Sequence, residues 1–265
     1  MIATMSVYLN SERRETIAER LARGDRVLAA DLAREFAASE DTIRRDLRAL
    51  AAAGLCRRVY GGALPVAPGA GPVSARAGVA ADAKAALGAA LAGLVAPGMT
   101  VFLDAGGTTL AAARAIAAAG VTIITHAPLI AAALVERPGI TLVLLGGRVD
   151  PVVGASVGAR ALAEAEGLRP DLALLGACGL DPEAGVTAHS VEDAAFKRRL
   201  ASASASVAVA ADRQKLGTAA AFPVIGVDAC DVLALEASTP GDLLARFRAA
   251  GPRVLEVETD GRVRA

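Results

Sequence analysis

Three arginines close together in the sequence could bind nucleic acid. Arg44, Arg45 and Arg48 belong to a segment whose apolar residues repeat with helical spacing: Ile43, Leu47 and Leu50. At 100° per residue these apolar side chains fall within about 60° of one another, and the arginines fall on the opposite side. Guanidinium groups that project from a helix in this way can bind phosphates or the acceptor edge of guanine in a DNA major groove. A solvated arginine face on a small helical domain would have the same periodicity.

A second group of residues could bind an anion. Asp104 ends the apolar run VFLD and is followed by Ala105-Gly106-Gly107-Thr108-Thr109, after which a helix is predicted to begin near Leu110. A glycine-rich turn at a helix N-terminus presents free backbone N–H groups and the positive end of the helix dipole, and threonine hydroxyls add donors. The turn therefore predicts a phosphate site. The alternative is a purely structural turn, because glycine is common between strands and helices and threonine is an ordinary cap.

The arginines require a small domain to hold them. Residues 11–62 have the pattern of three short helices followed by a hairpin. Ser11 is predicted to cap the first helix and Ser39 the third, which ends at Gly54. Residues 55–62 then predict a basic strand and a Gly-Gly turn, as expected of a wing that contacts the DNA backbone.

The threonine-containing turn belongs to a larger region in which strands and helices alternate. Seven apolar runs have the pattern of strands, at residues 101–104, 121–125, 141–145, 172–177, 207–211, 231–236 and 253–258. Alanine-rich helical stretches separate most of them. This alternation predicts an α/β fold with a doubly wound, mostly parallel sheet covered on both faces. Ligands of such sheets bind at the carboxyl ends of the strands.

Composition predicts where the two regions meet. Residues 61–78 are rich in Gly, Pro and Ala and have no periodicity, which is typical of a linker. We therefore expect an N-terminal domain over residues 1–62, a linker over 63–78 and a second domain over 79–265. The 28 basic and 28 acidic residues cancel, so nucleic-acid binding would have to come from a local patch.

Bulk properties exclude several protein classes. With 54% hydrophobic and 21% charged residues and a mean hydropathy of +0.46, the chain can bury a sizeable core and is neither disordered nor fibrous. Its apolar stretches are shorter than the ~18–20 residues of a membrane span, and the N-terminus lacks a secretory signal pattern. We therefore expect a cytoplasmic protein without membrane contact. Cys56, Cys178 and Cys230 lie far apart, which predicts three reduced, structural thiols and neither a disulfide framework nor a metal site.

The N-terminal region resembles the winged helix-turn-helix signature of the DeoR family of bacterial transcription regulators. The residues that carry the resemblance are Asp31-Leu32-Ala33, Phe36, Ser39, Thr42-Ile43-Arg44-Arg45-Asp46-Leu47, Leu50, Gly54, Arg58 and Gly61-Gly62-Ala63. The resemblance implies a DNA-recognition helix that contains Ser39, Thr42, Arg44, Arg45 and Arg48. It also implies a wing with Arg58 and with Tyr60, which stands where the family usually has His.

The remainder of the chain resembles the sensor domain of the same family, which is similar in fold to ribose-5-phosphate isomerase. The matching segments are FLDAGGTT (102–109), ITHAP (124–128), GGRV (146–149), DLALLGACGLDPEAGVT (171–187), EDAAFKRR (192–199) and ADRQKLG (211–217). By resemblance the effector site would comprise Asp104, Gly106, Gly107, Thr108, Thr109, His126, Gly147, Thr187, Glu192, Lys197 and Lys215, with Gly179 and Asp212 nearby or supporting it. Asp104 is assigned to sugar hydroxyls. Gly107 replaces a common Ser or Thr, and His126 replaces the usual Asn, which changes a potential sugar contact.

Three functions are compatible with these residues: a ligand-responsive DNA-binding repressor, a sugar-phosphate enzyme and a nonregulatory interaction protein. The resemblance implies a repressor of a sugar or polyol catabolic operon that binds double-stranded operator DNA and is controlled by a phosphorylated sugar. It implies neither a cofactor nor catalysis. One winged helix contacts a half-site, so a homodimer or homotetramer is expected. The alternative is a sugar-phosphate isomerase, for which a carboxylate base and a cation could come from Asp104, Asp181, Glu192, Lys197 and Lys215. The sequence does not place these residues together.

Overall fold

The computed structural model describes residues 10–68 and 78–264. The first of these ranges contains α1 (Asn10–Ala22), β1 (Val27–Leu28), α2 (Ala29–Glu35), α3 (Glu40–Ala52), β2 (Arg57–Val59) and β3 (Gly62–Leu64). Three helices and a hairpin were predicted, and all four elements are present. Strand β1 was not predicted, because two residues give no periodicity. It pairs antiparallel with β3, which also pairs with β2.

The three helices of this region pack around one apolar cluster. Ile43, Leu47 and Leu50 point into it, as the periodicity predicted, together with Ile17, Leu21, Leu32 and Phe36. Ser39 caps α3 as predicted, since its hydroxyl accepts a hydrogen bond from the Thr42 N–H at 3.2 Å. The prediction for Ser11 is wrong. Helix α1 already includes Asn10, so Ser11 lies inside its first turn.

The hairpin differs from the prediction in its turn and its length. Tyr60 and Gly61 form the tip, and Gly62 already belongs to β3. Ala63 and Leu64, which we assigned to the linker, are buried and pair with Arg58 and Arg57. The wing therefore extends two residues beyond the boundary expected at residue 62. The glycine-rich composition that suggested a linker begins within the hairpin itself.

An eight-stranded sheet organises the second described range. Seven of its strands are parallel: β4 (Thr100–Leu103), β5 (Val121–Thr125), β6 (Ile140–Leu144), β9 (Leu172–Gly176), β12 (Ser206–Ala211), β14 (Val232–Glu236) and β15 (Arg253–Val257). They correspond to the seven predicted runs, so the mostly parallel sheet is confirmed. Strand β16 (Val263–Arg264) adds an antiparallel edge beside β15.

Helices cover both faces of this sheet, as predicted. On one face lie α4 (Ala81–Ala92), α5 (Gly107–Ala115) and α6 (Pro128–Leu134), and on the other lie α7 (Ala159–Glu166), α8 (Val191–Ala203) and α9 (Gly241–Ala249). Alternate residues of β4 point to opposite faces. Val101 and Leu103 join the cluster of α4, whereas Phe102 joins the cluster that contains Phe196 and Phe247. None of the helices described is long and apolar enough to cross a membrane.

Within residues 78–264, five short strands lie outside the main sheet. Strands β7 (Arg148–Asp150) and β8 (Ala155–Val157) form a hairpin after β6. Strands β10 (Gly179–Asp181), β11 (Gly185–Ala188) and β13 (Phe222–Ile225) form a small antiparallel sheet. Sequence reasoning missed these strands because three or four residues give too few alternations to be recognised.

The strand order creates a place where a ligand can bind. The order across the sheet is β16-β15-β14-β12-β9-β4-β5-β6. From β4 the chain proceeds outward to β5 and β6, and it then returns to the opposite side of β4 with β9. In open α/β sheets, ligands bind outside the carboxyl ends of the strands at such a reversal of direction. Asp104 directly follows β4, and Gly176 ends β9.

The two ranges contact each other at the chain that leaves the wing. The Ala219 N–H donates to the carbonyl of Pro65 at 3.2 Å, and the Ala67 N–H donates to the carbonyl of Ala219 at 3.1 Å. An ion pair of 2.5 Å joins Arg26 to Glu183. The winged domain is therefore held against the loop that follows β12.

Candidate functional site

Helix α3 presents its arginines to solvent. The side chain of Arg45 is 76% exposed, and Arg44 and Arg48 are also exposed. Each of the three faces an acidic residue of the first turn: Arg44 pairs with Glu40, Arg45 lies 3.2 Å from Asp41, and Arg48 lies 3.9 Å from Asp41. Exposed pairs of this kind contribute little to stability, so the guanidinium groups can exchange these partners for phosphates or bases at small cost.

A buried ion pair fixes the orientation of α3. Arg13 of α1 donates to the Asp46 carboxylate at 2.7 Å, and Arg14 approaches the other oxygen at 3.4 Å. In the sequence, Asp46 was named only as part of the family signature, with no role assigned to it. A signal was available, because Asp46 lies at the edge of the apolar stripe, where a buried carboxylate requires a partner. The pair joins α1 to α3 and so holds the arginine face outward.

The wing places its predicted residues at the tip of the hairpin. Tyr60 is 98% exposed, and Arg58 is exposed on the preceding strand. Ser39 and Thr42 lie at the start of α3, with their hydroxyls 2.9 Å apart. The seven residues expected at the DNA interface thus lie on α3, at its cap, or on the wing.

A cavity of about 470 Å³ lies at the carboxyl ends of β4, β9 and β12, where the strand order reverses. Six of the eleven residues expected at the effector site line it: Gly106, Gly107, Thr108, Thr109, Lys197 and Lys215. Asp104, His126, Gly147, Thr187 and Glu192 do not.

The N-terminus of α5 forms one wall of the cavity. The helix begins at Gly107, three residues before the predicted start, so Thr108 and Thr109 lie in its first turn. Gly106 precedes it with φ +147°, a conformation that favours glycine. The Thr109 hydroxyl donates to the Gly106 carbonyl at 3.0 Å. The Thr108 hydroxyl is buried and has no hydrogen-bond partner within the described residues.

Lys84 of α4 reaches the same helix N-terminus and was missed by sequence reasoning. A methyl group built on Gly107 would lie 3.1 Å from Lys84 Cδ and 3.5 Å from its Nζ, so the ammonium lies against the first turn of α5. The composition held a signal that could have found it. Lys84, Lys197 and Lys215 are the only three lysines of the chain, against 25 arginines, and all three line this cavity.

Asp104 lies beneath the cavity, within a buried network of charged groups. One carboxylate oxygen is 3.0 Å from His126 Nε2, and the other is 3.2 Å from Lys197 Nζ and accepts the Gly176 N–H at 2.7 Å. Lys197 also lies 3.0 Å from Asp193, one turn earlier on α8. The expectation that Asp104 binds sugar hydroxyls therefore does not fit, because both of its oxygens already have partners and its side chain is fully buried.

The electrostatics of this network favour ionised groups. Burial alone would raise the pKa of Asp104, but the Lys197 ammonium and the hydrogen bonds of His126 and Gly176 hold that pKa below its usual value. Burial likewise opposes the charge on Lys197. The carboxylates of Asp104 and Asp193 outweigh it and hold the pKa of the Lys197 ammonium above its usual range.

Two other carboxylate oxygens at the cavity are available to a ligand. Oδ1 of Asp193 and Oδ1 of Asp212 are buried and without hydrogen-bond partners among residues 10–68 and 78–264. Both residues line the cavity. They are acceptors, and a group that donates hydrogen bonds would satisfy them.

The remaining expected residues have structural contacts elsewhere. The Thr187 hydroxyl donates to the Gly179 carbonyl and accepts the Ala220 N–H, which joins two strands to the loop before β13. Glu192 is exposed and lies 3.0 Å from Arg148. Gly147 packs against Ser156 and Ala161. The family resemblance suggested these three residues, but none of them is among the residues that line the cavity.

The cysteines also depart in part from expectation. Cys56 and Cys230 are buried, and burial raises the pKa of Cys230 to about 12. Cys178 is half-buried and lines the cavity. No group of three or more His, Cys, Asp or Glu side chains is arranged to hold a metal ion in the part of the chain that the structure describes.

Comparison with protein families identifies both regions. Residues 13–67 match the DeoR-like helix-turn-helix domain, and residues 79–236 match the DeoR C terminal sensor domain. The chain belongs to the DeoR family of transcriptional regulators. The helix-turn-helix domain precedes the sensor domain, so the two matches correspond to the two regions described above. The chain is therefore a DNA-binding transcriptional regulator with an attached sensor domain, and the isomerase alternative is set aside.

Three relatives are similar to this DeoR-family chain along most of its length. A protein of Escherichia coli O157:H7 named for repression of the aga operon is 31% identical over 93% of this chain and 94% of its own. The transcriptional regulator GlpR of Haloferax volcanii is 30% identical over 94% and 98%. The glycerol-3-phosphate regulon repressor of Escherichia coli K12 is 27% identical over 87% and 92%. Among solved structures, ribose 5-phosphate isomerase A of Methanocaldococcus jannaschii has a TM-score of 0.38 at 17% identity, over 51% of this chain and 54% of its own.

Proposed function

We propose that this regulator represses a sugar or polyol catabolic operon in the cytoplasm, and that a phosphorylated sugar bound in the cavity releases it from operator DNA. One observation carries the proposal. The cavity combines cationic groups and a helix N-terminus with carboxylate oxygens that lack partners within the described ranges. A phosphate with a polyhydroxy chain satisfies both kinds of group.

The phosphate is assigned to the N-terminus of α5. The free N–H groups of its first turn and the helix dipole favour a dianion there. The Thr108 hydroxyl adds a donor, and the Lys84 ammonium adds a full charge beside Gly107. Lysine binds phosphate as a point charge, and its charge-assisted hydrogen bonds are stronger than neutral ones.

The hydroxyls of the sugar are assigned to Asp193 and Asp212 instead of Asp104. Their Oδ1 atoms are buried at the cavity. Leaving a buried acceptor unpaired costs roughly 1–3 kcal/mol, so a ligand that donates to it gains that amount. Carboxylates at this end also repel a second anionic group, which favours a monophosphate.

The described residues on either side of the connection between the two domains lie at the cavity. Pro68 and Val79, on either side of residues 69–77, both line it. The Pro68 carbonyl is 2.8 Å from His189 Nε2, in the residue before the cap of α8. A ligand that favours one position of Pro68 therefore favours one position of the winged domain, as an effector must in order to change DNA affinity.

We also propose that the sensor domain forms a dimer through the edge strand β6. Val143 and Leu144 of that strand are exposed, as are Leu129 of the adjacent α6 and Val135, which caps the end of that helix. An exposed apolar edge strand is a site of pairing with another chain. Sedimentation velocity of the full chain should therefore give a species of at least two subunits at micromolar concentration.

A thermal-shift screen of the full chain tests the nature of the ligand. Ligands that bind the folded state raise the melting temperature, and tighter binding at a given concentration raises it further. We expect at least one sugar monophosphate to raise it and the matching free sugar to leave it unchanged. Equal shifts from the free sugar and its phosphate would refute the phosphate site, and the Lys84→Met variant supplies the control for binding elsewhere.

A further inference from the structure

His126 is a buried histidine whose two ring nitrogens both face oxygen acceptors. Nδ1 lies 2.9 Å from the Ser156 carbonyl, and Nε2 lies 3.0 Å from Asp104 Oδ1. A carbonyl and an ionised carboxylate can only accept. Both contacts are hydrogen bonds only if both ring nitrogens carry hydrogen, which makes the ring an imidazolium.

The charges around the ring point to the same state. Asp104 and Asp193 together carry two negative charges, and Lys197, which contacts both, carries one positive charge. With a neutral histidine, this buried group would have a net charge of −1 directly beneath a cavity that accepts an anion. An imidazolium brings the net charge to zero.

The neighbours of the ring also suit a cation. The His126 ring stacks on Phe196 with 4.2 Å between centroids and 5° between planes, and Phe102 lies 5.6 Å away. An aromatic face attracts a positive charge within about 6 Å of its centroid. Phe196 directly precedes Lys197, so the stacking also fixes the segment of α8 that carries the ammonium.

The other contact of His126 reaches a wall of the cavity. Ser156 belongs to β8, and the hairpin of β7 and β8 contributes Asp150, Val152 and Val153 to the lining. His126 therefore connects this wall to the Asp104–Lys197 pair below it. It does so without lining the cavity.

We propose that His126 is held as an imidazolium and acts as a positioning residue, fastening the β7–β8 hairpin to the Asp104–Lys197 pair and setting the affinity of the cavity for an anion. The inference rests on the proposed effector site. It differs from a sugar contact, the role expected from the sequence.

The protonation of the ring is measured directly by nitrogen NMR of the full, 15N-labelled chain. The sequence has two histidines, so the His126→Asn variant assigns both ring systems by difference. At about pH 7.5 an ordinary histidine, with a pKa of about 6.5, is mostly neutral. We expect both nitrogens of His126 to be protonated at that pH. A neutral tautomer would overturn the proposal, and this measurement requires no ligand.

Inorganic phosphate tests the effect on binding. His126→Asn removes one positive charge, and we expect phosphate affinity to fall about tenfold, the effect of a unit charge several ångströms from an anion in a partly buried site. In the double variant His126→Asn with Asp104→Asn, a negative charge is removed as well, so affinity should recover towards that of the unaltered protein.

If His126 had only a structural role, the double variant should bind phosphate more weakly than His126→Asn, because Asp104→Asn would disturb the network further. Unchanged affinity in His126→Asn, or a further loss in the double variant, would overturn the inference. Failure of the unaltered protein to bind phosphate, or binding that survives in Lys84→Met, would instead count against the proposed function, and the NMR measurement would still decide the state of His126.

Discussion

Thr108 and Thr109 are adjacent in the first turn of α5 and differ in their hydrogen bonds. The Thr109 hydroxyl donates to Gly106, whereas the Thr108 hydroxyl is without a partner among the described residues. Thr108→Val should therefore leave stability nearly unchanged and weaken sugar-phosphate binding about tenfold or more, because a hydrogen bond to a charged group contributes roughly 1.5–3 kcal/mol. Thr109→Val should lower the free energy of unfolding by about 1 kcal/mol. Calorimetry and thermal unfolding measure both, and equal sugar-phosphate affinity of Thr108→Val and the parent would contradict the assignment.

Asp104 should make the stability of the sensor domain depend on pH in acid. Its pKa is held below the unfolded value of about 3.9, so its ion pair stabilises the fold above about pH 4. This contribution is lost as the pH falls through the lowered folded-state pKa. Asp104→Asn leaves Lys197 facing one fewer carboxylate and should cost about 3–5 kcal/mol at neutral pH.

Urea unfolding at a series of pH values tests this expectation. Below about pH 4, the free energy of unfolding should fall less steeply with decreasing pH (a shallower acid limb) in Asp104→Asn than in the parent. Glu136→Gln is the matched control, because its carboxylate is exposed on the surface of the same domain. An acid limb of unchanged slope in Asp104→Asn would show that the carboxylate does not titrate as described.

At the scale of single residues, the sequence predicted correctly the features that depend only on residues adjacent in the chain. The glycine and threonine turn predicted cavity residues because a helix N-terminus is a local property. It failed for Asp104, whose partners Gly176 and Lys197 are distant in sequence and occupy both of its oxygens. Lys84 was missed because a single lysine in an alanine-rich helix has no spacing to interpret.

The approach of α4 to α5 depends on Gly88. A methyl group there would lie 2.6 Å from the Ala111 side chain and 2.7 Å from the Ala112 nitrogen, closer than packed atoms allow. Gly88 is four residues after Lys84, so both lie on the helix face that meets α5. Gly88→Ala should separate the helices, cost about 1–3 kcal/mol and withdraw Lys84 from the phosphate position.

Gly93→Ala at the end of α4 is the matched control. Its added methyl would meet carbonyl oxygens at 3.4 and 3.7 Å, which are ordinary contacts. We expect Gly88→Ala to lower both the melting temperature and the affinity for inorganic phosphate, and Gly93→Ala to lower neither. Normal phosphate affinity in Gly88→Ala would show that Lys84 does not contribute to the phosphate site.

Helix α3 should contribute base-specific contacts through Arg45. Arg45→Ala is expected to cost about 1–3 kcal/mol of specific binding, provided that the guanidinium contacts a base edge. Arg248→Ala removes an exposed, ion-paired arginine of the sensor domain and should leave DNA binding unchanged. Gel-shift titration with an operator selected from random-sequence DNA measures both, and identical affinities of Arg45→Ala and the parent would exclude that contact.

At the element scale, the length of a pattern decided what could be predicted. The seven parallel strands were recognised because burial on both faces makes each a continuous apolar run. Helix α3 was recognised from three apolar residues on one face. The β7–β8 hairpin was missed, although it forms a wall of the cavity, because Arg148–Asp150 and Ala155–Val157 are too short to show a period.

At the scale of the whole molecule, the chain that leaves the wing reaches from the DNA-binding domain to the cavity. Backbone hydrogen bonds tie Pro65 and Ala67 to Ala219, and Pro68 contacts His189 at the cavity. The sequence predicted two domains and a linker, but not that the chain after the wing would line the ligand site. Composition carries no information about what a linker touches.

We expect occupation of the cavity to change the affinity for DNA, and the function of the regulator depends on this coupling. Its most direct test is fluorescence anisotropy of the full chain on its selected operator, titrated with the sugar phosphate found by thermal shift. We expect the operator to be released as the ligand saturates the cavity, and Thr108→Val to bind the operator normally but to require about tenfold more ligand for release. Unchanged operator affinity at saturating ligand would contradict the account.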